Sequence, residues 1–373
     1  MLIYLLLIFS IYFAFLFACV IGWKKFLHAT PTPGMASQEL VSVIVAARNE
    51  EHSITRLLDS IRHQDYPHIH FEVICVDDHS TDKTSQSILD WRTHNSSIQC
   101  NYVFSSGKGK KAALLAGIQS AKGKIILTTD ADCVLPQNWI SQMVMSFSQD
   151  TTMVIGLVML QPDESLFSKL QALEFSSLIS SGIALNELGF PVMCNGASLA
   201  FRKDCFEAVN GYEDNQHIPS GDDEFLMRKL AKRFPGSIQT VRGTFGVVST
   251  RPQKSLKSFI YQRIRWAGKW KANDSIISKG LALFILIFQF ANLLAMVFLV
   301  LGENMGEVTA LLAIKVSIEG YFLYMVSNRL NQSFSVAAFI LLQLMYPFYV
   351  IMIGILSQLL DYEWKGRKVA SIG

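Results

Sequence analysis

Four groups of side chains carry the means for chemistry on a charged substrate. Asp130 and Asp132 stand one residue apart directly after the apolar run Ile125 to Thr129. A buried strand ending there puts both carboxylates at the carboxyl edge of a sheet, where open α/β sheets bind ligands. Two hard oxygen donors in that place suit Mg²⁺ or Mn²⁺ carrying a diphosphate. In isolation, the tripeptide reads as well as a solvated acidic turn. Asp77-Asp78 closes a second apolar run, Phe71 to Val76. Asp222-Asp223 opens a segment with helical apolar spacing through Phe225, Leu226 and Leu230, where the acids also suit the helix dipole. The fourth group, Gln262-Arg263-Ile264-Arg265-Trp266, sets two planar cations beside an indole.

These groups need elements to hold them. Leu40 to Ala46 reads as a buried parallel-type strand that breaks at Ala47-Arg48-Asn49-Glu50-Glu51. A helix follows with Ile54, Leu57, Leu58 and Ile61 on one face. Phe71 to Val76 is a second strand, and Ser80 or Thr81 can cap the next helix. A third short strand falls near Tyr102 to Phe104. Gly107-Lys108-Gly109-Lys110-Lys111 then opens the helix Ala112 to Ser120. Strand and helix alternate, so the spacing predicts an α/β fold with a mostly parallel doubly wound sheet, its polar loops gathered along one edge. Farther on, Met153 to Leu160 reads as one strand, Ser165 to Ile183 as a helix and Ser198 to Phe201 as a strand.

The chain has 373 residues, half of them hydrophobic and only 17% charged, which is too apolar for an ordinary soluble enzyme. The excess sits at the two ends. Leu2 to Ile21 is followed by Trp23, Lys24 and Lys25, which reads as an uncleaved anchor with the next domain on the cytoplasmic side. Leu281 to Leu301, Thr309 to Val326 and Phe334 to Leu356 are three further apolar runs. The second carries Lys315 and Glu319, which at this spacing can pair while facing other helices. Three such crossings would carry Lys365, Arg367 and Lys368 away from the domain's side, against the charge rule. The charge rule fails here, the Thr309 run does not span, or the last run turns back at Pro347. Ser255 to Trp270 interleaves apolar residues with Lys257, Arg263, Arg265 and Lys269, the pattern of a helix at the lipid interface. The resulting division is an anchor at 1–22, a linker at 23–39, an α/β domain at 40–250, an interfacial helix at 251–275, a membrane region at 281–360 and a tail at 361–373. The net charge of +3 gives no case for a nucleic-acid partner. Six cysteines without metal-like spacing read as reduced thiols.

Together these motifs resemble the family-two, inverting, nucleotide-sugar glycosyltransferases of the GT-A fold, over roughly Val41 to Trp270. The Gln-x-x-Arg-Trp signature resembles the membrane-bound branch that holds cellulose synthase, hyaluronan synthase and ceramide glucosyltransferase. The resemblance implies a multi-pass protein of the inner, cytoplasmic membrane with its catalytic domain in the cytoplasm. It also implies a nucleotide-diphosphate sugar donor, a lipid or lipid-linked acceptor and a divalent cation. Carried over by position, Glu50, Asp77, Asp78, Lys110 and Asp130 would hold the donor. Asp132, with Asp130, would hold the metal. Asp223 would be the general base, although the acid pair here is Asp-Asp where the family has Glu-Asp. Gln262, Arg265 and Trp266 would close over the donor diphosphate and acceptor. Asn195-Gly196-Ala197 is similar to the acceptor-side loop.

The expected activity is transfer of one hexosyl-type sugar to a lipid, in glycolipid or cell-envelope glycan synthesis. The second is a processive polysaccharide synthase, separable by product length. A nucleotide-binding scaffold would have no need of Asp223 or the Gln-x-x-Arg-Trp set. A dehydrogenase lacks support, because no G-x-G-x-x-G follows the first strand.

Overall fold

A computed structural model describes residues 1–29, 39–215, 218, 220–242, 246–269 and 275–360, and the backbone alone of 362–364 and 367–369. Most of the linker, Trp270 and Lys365 lie outside these. In chain order the described residues form α1 (Leu2–His28), β1 (Val41–Ala47), α2 (Ile54–Arg62), β2 (Phe71–Asp77), α3 (Thr84–His94) and β3 (Gln99–Phe104). Then come α4 (Lys110–Ser120), β4 (Ile125–Asp130), α5 (Trp139–Met145), β5 (Met153–Ile155), β6 (Val158–Leu160) and α6 (Leu166–Glu187). After β7 (Leu199–Arg202), α7 (Lys203–Ala208), α8 (Asp222–Arg233), β8 (Ile238–Thr240) and β9 (Val248–Thr250) follow α9 (Leu256–Gly268), α10 (Ile276–Leu301), α11 (Met305–Arg329) and α12 (Val336–Leu359). A short antiparallel pair, β10 (Tyr362–Trp364) and β11 (Arg367–Val369), comes last.

The chain divides into two compact units. The α/β unit is Lys25–Gln161 with Asn186–Arg251; the helical unit is Met1–Lys24, Pro162–Leu185 and Pro252–Gly373. The 40–250 stretch is therefore interrupted: most of α6 counts with the helices.

In the α/β unit the sheet runs β3-β2-β1-β4-β7-β5-β8. β1, β2, β3 and β4 are parallel neighbours, while β7 runs antiparallel to both β4 and β5. β1 and β2 are buried at nearly every position, which explains their continuous apolar runs. The chain moves outward from β1 to β2 and β3, then returns to place β4 on the other side of β1. That reversal makes the β1/β4 edge the topological switch point, where a crevice opens at the strand ends.

One expected strand is two. Met153 to Leu160 breaks at Gly156-Leu157: β5 joins the main sheet and β6 pairs with β9. A Cβ at Gly156 would stand 2.0 Å from Ser198 Oγ, so the chain passes there too closely for a side chain.

In the helical unit, α1, α10, α11 and α12 are each long and apolar enough to cross a membrane. Leu5, Phe9 and Leu16 of α1 pack with Phe288, Ala291 and Ala295 of α10 and with Val308 and Leu311 of α11. Ile3, Leu7, Val300, Leu344 and Phe348 remain exposed, as an outer face in lipid requires. Lys315 and Glu319 pair at 3.2 Å, as their spacing predicts. Gln343 Oε1 accepts from Lys315 Nζ at 2.5 Å, and Tyr12 OH donates to Glu319 Oε1 at 2.6 Å, so the pair ties α11 to α12 and α1. α12 continues through Pro347, so the last apolar run does not turn back there.

Candidate active site

At the carboxyl edge of the sheet, the register sets Ala47 beside Asp77 and Ala46 beside Asp130. The loops after β1 and β2 interlock. Asp78 N–H donates to Ala47 O at 2.8 Å, and Arg48 Nη1 donates to the carbonyls of Asp78 at 2.8 Å and His79 at 2.5 Å. Asn49, held at φ 52°, accepts from Thr81 N–H at 2.8 Å. Glu50 N–H donates to Thr84 Oγ1 at 2.7 Å, while its carboxylate accepts from the Ser53 hydroxyl. The loop after β1 is thus braced by the start of α3.

The two aspartates at the carboxyl end of β2 do different work. Asp77 Oδ1 accepts from Ser80 N–H at 2.9 Å, and its Oδ2 from Ser85 at 2.7 Å and Tyr102 at 3.1 Å. Burial raises the Asp77 pKa, but bonds from Ser80 and Ser85 outweigh it and hold the carboxyl below its ordinary value. Asp77 therefore organises the turn. Asp78 Oδ1 accepts from Gly109 N–H at 2.9 Å, which brings the Gly107–Gly109 loop to the same edge. Gly109 lies at φ 99°, a conformation that a side chain disfavours, and it caps α4.

That cap delivers Lys110 to the centre of an acidic cluster. Lys110 Nζ stands 2.7 Å from Asp130 Oδ1 and 3.6 Å from Asp222 Oδ2. Burial pulls the Lys110 pKa down, yet Asp130 and Asp222 together raise it well above the ordinary value. Asp222 is buried; burial raises its pKa, Lys110 works against this, and Asp223 and Asp130 add to the rise. Tyr212, which sequence reasoning passed over, is a buried phenol whose pKa is raised by burial and then by Asp222.

Asp223 bridges two elements. Its Oδ1 accepts from Glu224 N–H at 2.7 Å, so it does take part in the first turn of α8. Its Oδ2 accepts from Gly196 N–H at 2.8 Å, tying that turn to the 195–197 loop, whose Gly196 carbonyl accepts from Thr128 of β4 at 2.8 Å. A Cβ on Gly196 would meet Asp222 Oδ2 at 3.3 Å, Lys110 Nζ at 3.5 Å and Asp223 Cβ at 3.6 Å. The glycine leaves room between Lys110 and the two aspartates.

Asp132 is exposed at the strand edge, and its carbonyl accepts from Arg56 Nη2 at 3.3 Å. Arg56, in the first turn of α2, has no sequence signal that marks it. Among the described residues, no three His, Cys, Asp or Glu side chains are grouped to hold a metal. Asp130 is engaged by Lys110 and Asp132 is exposed, so Asp132, with Asp130, is the pair that could take part in holding a divalent ion.

Gln262, Arg265 and Trp266 lie on α9 of the helical unit. Ser255 caps α9 in a reciprocal box with Ser258. Arg263, expected on a basic lipid-facing side, is instead 4% exposed and paired with Glu174 of α6. Trp266 lies beside Phe175, ring centroids 6.0 Å apart.

Residues 42–209 match the family model of glycosyl transferase family 2. The match includes Asp78, Lys110, Asp130 and Asp132, and ends before Asp223 and α9. An undecaprenyl-phosphate 4-deoxy-4-formamido-L-arabinose transferase of Aeromonas hydrophila subsp. hydrophila is 32% identical over 132 residues, 35% of this chain and 40% of that protein. A poly(ribitol-phosphate) beta-N-acetylglucosaminyltransferase, TarS, of Staphylococcus aureus is 39% identical over 92 residues, 24% of this chain and 16% of that protein. The chain thus spans less than half the length of either relative. The solved structure of the mannosyltransferase PcManGT from Pyrobaculum calidifontis, in complex with GDP-Man and Mn²⁺, superposes with a TM-score of 0.62 at 19% identity, covering 96% of this chain and 99% of that one. At that identity the likeness establishes the GT-A fold.

Proposed function

We propose that this chain is a membrane-bound glycosyltransferase that moves a sugar, with inversion, from a nucleoside-diphosphate donor to a lipid or lipid-linked acceptor. The observation that carries this reading is the convergence of Asp78, Lys110, Asp130, Asp222 and Asp223 around one sheet edge of a family 2 domain. The apolar helices and a relative named for undecaprenyl phosphate support a lipid acceptor. The Lys24-Lys25 pair near the carboxyl end of α1 supports a cytoplasmic catalytic domain at the inner membrane.

In this reading Asp78 binds the nucleoside, with Asp77 fixing its loop. Lys110 is a fixed positive charge, and Asp130 is oriented by it toward the ribose or metal. A divalent ion held by Asp132 and Asp130 would neutralise the departing diphosphate. Asp223 takes the proton from an acceptor hydroxyl as its oxygen attacks the anomeric carbon from the face opposite the leaving group. Gln262, Arg265 and Trp266 engage the diphosphate and acceptor, with the Arg265 fork on phosphate oxygens.

The test is a panel of nucleotide sugars supplied to membranes containing the protein and extracted lipids, read by mass spectrometry. The expected product is a lipid heavier by one sugar, with inverted anomeric configuration by NMR. A long polymer would point to a processive synthase, and failure to consume any nucleotide sugar would overturn the reading.

A further inference from the structure

The buried face of α9 is Phe259, Arg263 and Ile264, so a charge stands in the middle of an apolar stripe. Arg263 and Glu174 are each 4% exposed. The guanidinium donates from Nε to Glu174 Oε1 at 3.2 Å and from Nη2 to Glu174 Oε2, a two-pronged pairing. Tyr349 OH of α12 donates to Glu174 Oε1 at 3.3 Å. The remaining nitrogen, Nη1, donates to Gln262 Oε1 at 2.6 Å. The guanidinium carbon lies 4.5 Å from the Phe259 ring centre and 4.4 Å from that of Trp266, one helical turn before it and one after. Glu174 opposes the fall that burial alone would cause in the Arg263 pKa, and Arg263 stays charged.

We propose that Glu174 and Arg263 are positioning residues: the pair fixes Gln262 by a hydrogen bond and Trp266 by stacking, and so sets the two signature side chains for transfer. The proposal rests on the transferase reading above. A merely structural ion pair makes a different forecast, because a buried pair can often be replaced by apolar residues of similar volume without loss of stability. A positioning pair cannot, since no apolar side chain holds the Gln262 amide.

The experiment uses the full chain purified in detergent, labelled with 5-fluorotryptophan, with the Trp266 resonance assigned from Trp266→Phe. Arg263→Lys, which keeps the charge but loses the fork, is compared with the apolar pair Glu174→Met/Arg263→Met. In both, the Trp266 ¹⁹F resonance is expected to move and kcat to fall about tenfold or more, while the donor KM stays within a few-fold. The apolar pair is expected to keep its unfolding temperature and still lose kcat. An unmoved Trp266 resonance in Arg263→Lys would overturn the proposal. So would an apolar pair that retains kcat within about threefold of the parent. If the parent transfers no sugar from any donor, the transferase reading has failed, and the ¹⁹F shift by itself still decides whether the pair holds Trp266.

Discussion

Lys110 Nζ lies 2.7 Å from Asp130 Oδ1, and the same ammonium is 3.6 Å from Asp222, so one cation serves the end of β4 and the start of α8. Lys110→Met removes that cation from three neighbouring carboxylates. Because Asp130 is partly solvated, the stability loss should be discounted to about 1–3 kcal/mol. Transfer should fall more steeply than stability, since Asp130 loses its orientation. Denaturant unfolding and initial rates on the same preparation measure the two. Equal activity in the variant would remove Lys110 from the site.

Asp223 and Asp222 are adjacent in sequence but differ in exposure, Asp222 being buried against Lys110 and Asp223 partly open. Asp223→Asn keeps the shape and an oxygen for the Gly196 N–H but cannot accept a proton. Loss of the general base should cost about 10²- to 10⁴-fold in kcat, with donor binding retained by calorimetry. Asp222→Asn should be milder. The result also reports on the acceptor: a lipid phosphate is already ionised at neutral pH and needs no base. Near-normal transfer by Asp223→Asn would therefore reassign the nucleophile from a hydroxyl to a phosphate oxygen.

The strand ends were legible because β1, β2 and β4 are buried on both faces, and their apolar runs stop where the polar loops begin. Lys110 was harder to read. Two lysines at a helix start are ordinary, and the acid that gives Lys110 its second partner, Asp222, comes from α8, far along the chain. Arg263 illustrates the same limit. Helical spacing placed it among basic residues facing lipid headgroups, but Glu174, 89 positions earlier, draws it into the interior. Gly156 was invisible as a strand break because the obstruction, Ser198, belongs to another strand's approach. Local periodicity fixes which face is apolar, whereas a charge on that face is decided by a partner that periodicity does not contain.

On the proposed reading, exposed Asp132 and Lys110-bound Asp130 hold a divalent ion together with the donor diphosphate. Transfer should stop in excess chelator and return with added Mg²⁺ or Mn²⁺. Asp132→Ala should raise the ion concentration needed for half-maximal rate about tenfold or more, with the fold unchanged. Full activity of the parent enzyme in excess chelator would sink the metal role.

Gly196→Ala probes how closely the 195–197 loop must approach the cluster. The added Cβ would press on Asp222 Oδ2 at 3.3 Å and come near Lys110 Nζ at 3.5 Å. A shift of a few tenths of an ångström should cost about 1 kcal/mol or less in stability, because the contacted atoms are side-chain ends. The catalytic cost should be larger, about tenfold in kcat, since the Gly196 N–H itself orients Asp223. Wild-type rates in Gly196→Ala would show that this contact is not part of the catalytic geometry.

Asp77 supplies a prediction that does not depend on activity. Its folded pKa lies below its ordinary value, so its contribution to stability is present above about pH 4 and is lost as pH falls through the folded value. Asp82, lowered by bonds from Thr84 and Glu51 despite some desolvation, acts in the same direction. Acidification from neutral pH should therefore weaken the loops after β1 and β2, where these bonds lie. Asp77→Asn loses the charge-assisted bonds from Ser80 and Ser85, so it should be less stable than the parent at pH 7. The gap should narrow below about pH 4, where the parent also loses its carboxylate. Unfolding midpoints of the detergent-solubilised chain, taken from pH 7 to pH 3, measure the convergence. Parallel curves for the two proteins would mean that the Asp77 carboxylate does not fasten the β2–α3 turn through its charge.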